Sequence, residues 1–253
     1  MYGRGAPGGI GFGPPITPPV IKQLLIANLA VFVAQAMGLV PLDLLAASPA
    51  DFWLRFQLWQ PFTYMWLHGG LGHIAANMFS LWMFGSPLAM VWGTERFLRF
   101  YLICGVGAGL LIVSCPWIPY WLGLTPRMSL VWPTLGASGA VMGVLLAYSL
   151  TWPNRTIMLI FPPVAFRAIW LIPILFFMEY AFGPPNVSHL GHLGGVVVGW
   201  LLLRVRGEAG QLITIEQIKY RWRRWRMRRR LRAVQDDWRR RARDDDRPGP
   251  WLH

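Results

Sequence analysis

The chain reads as an all-α polytopic membrane protein, a bundle of six transmembrane helices, and three observations predict that class. Of its 253 residues, 55% are apolar and only 14% charged, where a soluble domain carries about 25% charged residues. Apolar runs recur along it, several of them near the ~20 residues that cross a bilayer. Lysine and arginine concentrate in alternate connections between those runs, which places them on one side of the membrane, as positive-inside topology requires. An ordinary soluble domain is excluded. So is a disulfide framework, since the only cysteines, Cys104 and Cys115, lie in or beside one apolar segment and read as buried thiols.

Residues 1–19 are rich in glycine and proline, with Arg4 their one charge, and read as a flexible leader. A first span follows from about Val20 to Val40. Its Ala34-Gln35-Ala36 resembles a signal-peptidase site, but the apolar stretch is long and the leader hardly basic, so an uncleaved anchor is expected. Residues 41–67 carry Trp53, Trp59 and Trp66, which favour the membrane–water boundary. This long connection is expected to lie in the interface. Five further spans are expected at about 71–92, 97–115, 135–152, 168–182 and 188–206. Pro116, Pro119, Pro126 and Pro133 precede the fourth, and Pro153, Pro162 and Pro163 separate it from the fifth.

Arg4, Lys22, Arg96, Arg99, Arg155, Arg167 and the tail fall on one side of this arrangement, and only Arg55 and Arg127 on the other. Both termini are therefore expected in the cytoplasm, and even-numbered spans enter from the outer face. The domain organisation that follows is a leader (1–19), a six-span domain (20–206) and a basic cytoplasmic tail (207–253). Sixteen of the 24 lysines and arginines behind the net charge of +13 sit at or after Arg204. From about Gln211 to Arg243 they alternate with Ile218, Trp222, Trp225, Leu231, Val234 and Trp238, as in an amphipathic basic helix. Such a helix either binds anionic lipid headgroups or is a solvated extension that reinforces topology. No nucleic-acid-binding module is recognisable, so nucleic acid is not expected as a partner.

Polar residues inside the spans are few, and they collect on the even-numbered ones. His68 and His73 flank the start of the second span, with Asn77 one turn further in. Ser138 opens the fourth span, and His189 and His192 open the sixth. At 1.5 Å per residue these groups lie at one shallow level, where an unsatisfied polar group costs several kcal/mol. They are therefore expected to face one another. A serine needs a base to become a nucleophile, and a neutral imidazole supplies one. No Asp or Glu lies in these three spans, so a Ser–His dyad without a carboxylate is expected, Ser138 with His192. The Ser138 N–H at a helix start, with His73 and Asn77, would receive an oxyanion. Gly139 and Gly143 on the fourth span and Gly195 and Gly199 on the sixth permit close backbone approach.

These residues resemble the rhomboid family of intramembrane serine proteases over about residues 20–206. The resemblance rests on WQPFTYMWLHGGLGHIAANMFSLW, on Gly136-Ala137-Ser138-Gly139 and on HLGHLGGVVVG, in order on spans two, four and six. It implies Ser138 as nucleophile, His192 as base, and His73 and Asn77 at the oxyanion. It further implies that His68 holds the first loop, while His189, outside the family's pattern, has a supporting or substrate-entry role. Where many members carry an aromatic against the catalytic imidazole, this chain has Met142, whose thioether also packs on a ring. The first loop matches only loosely at Trp53 and Arg55.

What the resemblance implies is hydrolysis of a peptide bond in or near the transmembrane segment of another membrane protein, through an acyl-enzyme and without a cofactor. Two other classes stay open. One is a catalytically inactive rhomboid-like protein that binds membrane clients, distinguished by activity loss on Ser138→Ala. The other is a metal-dependent membrane protein built on the clustered histidines, distinguished by chelator sensitivity; it lacks an HExxH motif and a nearby carboxylate ligand. A bacterial inner membrane is the expected compartment.

Overall fold

The computed structural model describes residues 13–158, 164–183 and 188–205, together with Met227. The chain divides into two units, Met1–Ala209 and Gly210–His253. The tail helix expected from about Gln211, and most of the leader, lie outside the described residues.

The first helix, α1 (Pro19–Ala36), starts on a proline at N1, where the missing N–H has no helical partner to lose. It stops four residues short of the expected Val40. Gly38 adopts φ 73°, and the N–H groups of Gly38 and Leu39 bond back to the carbonyls of Gln35 and Ala34, closing the helix with a Schellman-type turn. The connection that follows folds into short helices, Leu42–Leu45, Pro49–Leu54 and Gln60–Thr63. Its polar groups are satisfied internally. The buried Gln60 accepts from the Ser48 N–H at 3.0 Å and donates to Gln57 Oε1 at 2.6 Å. Ala47 exchanges both backbone bonds with Thr134, which ties this segment to the one leading into the fourth helix.

The second apolar helix, α2 (Leu71–Trp92), is interrupted by a π-turn at Leu81–Gly85. Pro87 lies just beyond it and has no N–H to give, so the widened turn absorbs a break in the hydrogen-bond ladder. Next come α3 (Thr94–Ser114), α4 (Ser138–Thr151), α5 (Leu171–Phe182) and α6 (His189–Val205). Pro19–Ala36, Leu71–Trp92 and Thr94–Trp121 are long and apolar enough to cross a membrane, and the last three helices are shorter apolar ones.

The centre of the described core is α4 packed against α3 and α6. Small residues allow this. A Cβ on Gly195 would overlap the Gly139 carbonyl, and one on Gly143 would fall 2.6 Å from Cys104 Sγ and 3.2 Å from the Gly195 carbonyl. Backbones here approach as closely as they do in small-xxx-small pairs of membrane helices. The all-α expectation misses one feature. Between α4 and α5, β1 (Thr156–Met158) pairs antiparallel with β2 (Ala165–Arg167), Ile157 opposite Phe166. Two short segments of Thr, Ile, Phe and Met beside proline-rich sequence carry too little alternation to read as strands.

Candidate active site

Ser138 is the first residue of α4, and its predecessors set its position. Gly136 has φ 132°, a conformation side chains rarely adopt, and its N–H donates to the Tyr64 carbonyl at 3.0 Å. Tyr64 in turn is anchored to α3 through its hydroxyl, which donates to the Gly105 carbonyl at 2.8 Å. A Cβ at Gly136 would lie 2.7 Å from His73 Cε1, 2.8 Å from His73 Nε2 and 3.6 Å from Ser138 Oγ. The absent side chain is what lets the imidazole edge of α2 and the hydroxyl of α4 share one space. No side chain caps α4, so the N–H groups of its first turn have no helical acceptor.

The protonation of His73 follows from its partner. Gly69 donates its N–H to His73 Nδ1 at 3.2 Å. In the neutral ring the proton then sits on Nε2, the atom facing Gly136 and Ser138. Asn77, buried one turn on, donates one amide hydrogen to the His73 carbonyl at 3.0 Å. His68 stacks edge-on to His73 with ring centroids 5.2 Å apart. Its backbone is clamped on both sides by Gln35, through Gln35 Nε2 to the His68 carbonyl at 2.6 Å and the His68 N–H to Gln35 Oε1 at 3.2 Å. The ring is fully buried with neither nitrogen hydrogen bonded. Burial, with His73 beside it, pushes its pKa down to about 4.

On α6, Ser188 caps the helix, its Oγ accepting from the Gly191 N–H at 3.2 Å. His189 and His192 therefore stand three residues apart on one face of the first turn. A Cβ on Gly139 would lie 3.3 Å from the Gly191 carbonyl, so the residues after Ser138 and before His192 meet directly. No hydrogen bond joins Ser138 to His192 among the described residues. Met142, Gly139, Gly195 and Gly199 are all buried along the α4–α6 contact region.

One residue at this site is absent from the sequence reading. Glu179, near the end of α5, reaches both histidines of α6: its Oε1 lies 2.5 Å from His189 Nδ1 and its Oε2 2.5 Å from His192 Nδ1. The Glu179 side chain is 9% exposed, His192 13% and His189 59%, so the inner half of the clamp is shielded and the outer half is open. The expectation of a dyad with no nearby carboxylate is corrected here. The even-numbered spans carry none; α5 delivers one from outside them. The same finding removes the lack of a nearby carboxylate as an argument against metal binding. A signal was available, since an ionisable residue in an apolar helix such as LIPILFFMEYAF marks a functional position by default.

Residues 55–208 match the family model of the Rhomboid domain. The chain is 35% identical over 136 residues to the mitochondrial presenilin-associated rhomboid-like protein of Mus musculus, covering 52% of this chain and 34% of that protein. It is 30% identical over 141 residues to the mitochondrial Rhomboid protein 1 of Saccharomyces cerevisiae, 53% of this chain and 38% of that one. Rhomboid protease GluP of Bacillus subtilis matches at 30% over 155 residues, 59% of this chain and 26% of the protease. The chain thus spans about a third of the length of the curated relatives it matches. With mitochondrial proteins prominent among them, the expectation of a bacterial inner membrane has no support. The matched domain fills more than half of the sequence and contains His68, His73, Asn77, Ser138, Glu179, His189 and His192, and on that ground the chain belongs to the Rhomboid family of integral membrane proteins.

Proposed function

We propose that the chain is an intramembrane serine endopeptidase that cleaves other membrane proteins in or near their transmembrane segments. The observation that carries this reading is the shared space of Ser138 Oγ, the Nε2 edge of His73 and the uncapped start of α4, against the first turn of α6. In this reading six helices span the membrane with both termini cytoplasmic, residues 20–206 form the catalytic domain, 1–19 a leader and 207–253 a basic tail on anionic headgroups.

Ser138 Oγ attacks the scissile carbonyl and passes its proton to Nε2 of His192. The oxyanion is received by the Ser138 N–H, the Nε2–H of His73 and the free amide hydrogen of Asn77, each such donor being worth ~10²–10³ in rate. The C–N bond then breaks, His192 returns the proton to the leaving amine, and water hydrolyses the acyl-enzyme by the reverse roles. No step calls for a cofactor. Gly136 and Gly139 let the serine approach its neighbours, and Met142 is buried one turn further along α4.

Purified protein in liposomes with a generic transmembrane substrate tests the reading. Wild type, with or without chelator, is expected to cleave, and Ser138→Ala and His192→Ala to be silent. Cleavage by Ser138→Ala at the wild-type rate would overturn the serine mechanism, and loss of cleavage with chelator would favour a metal-dependent one. Wild type that binds the substrate without cleaving it would favour client binding.

A further inference from the structure

The Glu179 clamp departs from a two-residue Ser–His arrangement. Its carboxylate is shielded, lies on α5 rather than on any helix carrying Ser138 or His73, and touches Nδ1 of the very histidine assigned as base. An ionised carboxylate only accepts hydrogen bonds, so each Nδ1 it meets carries a proton. For His192 this leaves Nε2 with its lone pair. That is the tautomer a base needs if Nε2 is to take a proton from Ser138.

We infer that Glu179 is a positioning residue that fixes the tautomer and ring orientation of His192 and stabilises its imidazolium, making the site a carboxylate–histidine–serine relay assembled across α5, α6 and α4. This rests on the serine-protease reading. The balance of the step is simple. As the Oγ–carbonyl bond forms, the hydroxyl proton moves to Nε2 of His192 and the negative charge goes to the carbonyl oxygen. Nδ1 keeps its proton, hydrogen bonded to Glu179 Oε2, and Glu179 remains ionised throughout. His189, on the other oxygen, is the exposed partner that keeps the carboxylate turned toward α6. The bond is also a tie between helices: apart from its first residue α5 has no buried residue, so Glu179 fastens the far end of a loosely packed helix to the base. When α5 moves away from α6, the base loses its orienting group.

Glu179→Gln tests this, because it preserves size while presenting an amide whose N–H favours the opposite tautomer. Three readouts run on wild type, Ser138→Ala and Glu179→Gln. They are steady-state cleavage in liposomes, the rate at which a fluorophosphonate labels Ser138, and 15N NMR of histidine-labelled protein with His192 assigned by its loss in His192→Gln. The expected result is that Glu179→Gln lowers kcat by about 10²-fold or more with KM unchanged, by analogy with carboxylate removal in serine triads. Labelling slows in proportion, and the His192 proton moves from Nδ1 to Nε2. A purely structural role would not move the tautomer signal. Cleavage within three-fold of wild type, a change confined to KM, or an unaltered His192 tautomer would each overturn the inference while leaving the protease reading intact. Faster cleavage would overturn it too, making Glu179 a latch that restrains the base. If Ser138→Ala cleaves, or wild type neither cleaves nor labels, the protease reading itself falls and the relay with it.

Discussion

Helices α4 and α5 are both almost wholly apolar, yet among the described helices one lies at the centre of the core and the other at its margin. Eleven of the fourteen residues of α4 are buried, and of the twelve in α5 only Leu171 is. Hydrophobicity cannot separate them, because lipid is as apolar as a protein interior and exerts no preference for either face. Size separates them. α4 reads SGAVMGVLLAYSLT, with glycine or alanine recurring so that α3 and α6 can come close. α5 reads LIPILFFMEYAF, with bulky side chains that fill space against lipid. The marginal helix nevertheless carries the one carboxylate of the site among the described residues. It is held to α6 by hydrogen bonds where α4 is held by packing.

The largest effect is expected where packing is closest. A Cβ on Gly195 would meet the Gly139 carbonyl, backbone that cannot swing aside. Gly195→Ala should therefore lower stability by ~3 kcal/mol, at the upper end of overpacking costs, and Gly195→Val should fail to fold. Thermal unfolding in detergent reads both. An unchanged midpoint for Gly195→Val would mean that α4 and α6 are not in backbone contact.

At the site the same logic costs rate rather than stability. Gly136→Ala strains a backbone at φ 132° and pushes on the His73 ring. A displacement near 1 Å lowers turnover by about 10²-fold, so kcat should fall by that order while the helices, followed by circular dichroism, stay folded. Wild-type turnover in Gly136→Ala would show that His73 does not need its present place.

These two sites also mark what could be read without a structure. Periodic small residues betray close approach because a helix puts i and i+4 on one face, so the Gly139/Gly143 and Gly195/Gly199 stripes were legible along the chain. So were the apolar runs, although the C-terminal end of α1 and the β1–β2 pair were not. Glu179 was visible as an oddity but not as a neighbour of His192. Spacing places a residue on its own helix and says nothing of which other helix it faces, and Glu179 lies on none of the three spans that carry the other polar groups. The tautomer of His73 was illegible for a related reason, since it is set by a backbone N–H, that of Gly69, which no residue type announces.

His68 sharpens the comparison from the interfacial side. Its ring is buried without a hydrogen bond and its pKa is lowered to about 4, below the ~6.5 of an unfolded histidine. Below 6.5 the unfolded chain therefore binds the proton more readily than the folded one. The stability that the neutral ring contributes is complete above that value and is lost as pH falls toward 4. About 1 kcal/mol should disappear between pH 7.5 and 5.5 from this group alone. His68→Gln should flatten that part of the curve, as measured by unfolding midpoints across pH. Parallel curves for the two proteins would assign the acid sensitivity elsewhere.

The smallest effect is expected on α5, and it is the one that tests the comparison itself. Phe177 is 65% exposed on the described structure and lies edge-on to Phe182 of its own helix, so in a bilayer most of its ring meets lipid rather than another helix. Truncating it exchanges one apolar contact for another, and Phe177→Ala should shift stability by less than ~0.5 kcal/mol, as substitutions at exposed positions do. In a helix packed as α4 is, the same truncation would cost ~3–5 kcal/mol. A loss of that size would mean that α5 is seated against protein. The Glu179 bonds would then be one contact among many, and the fifth helix could not leave the base without dismantling a packed face.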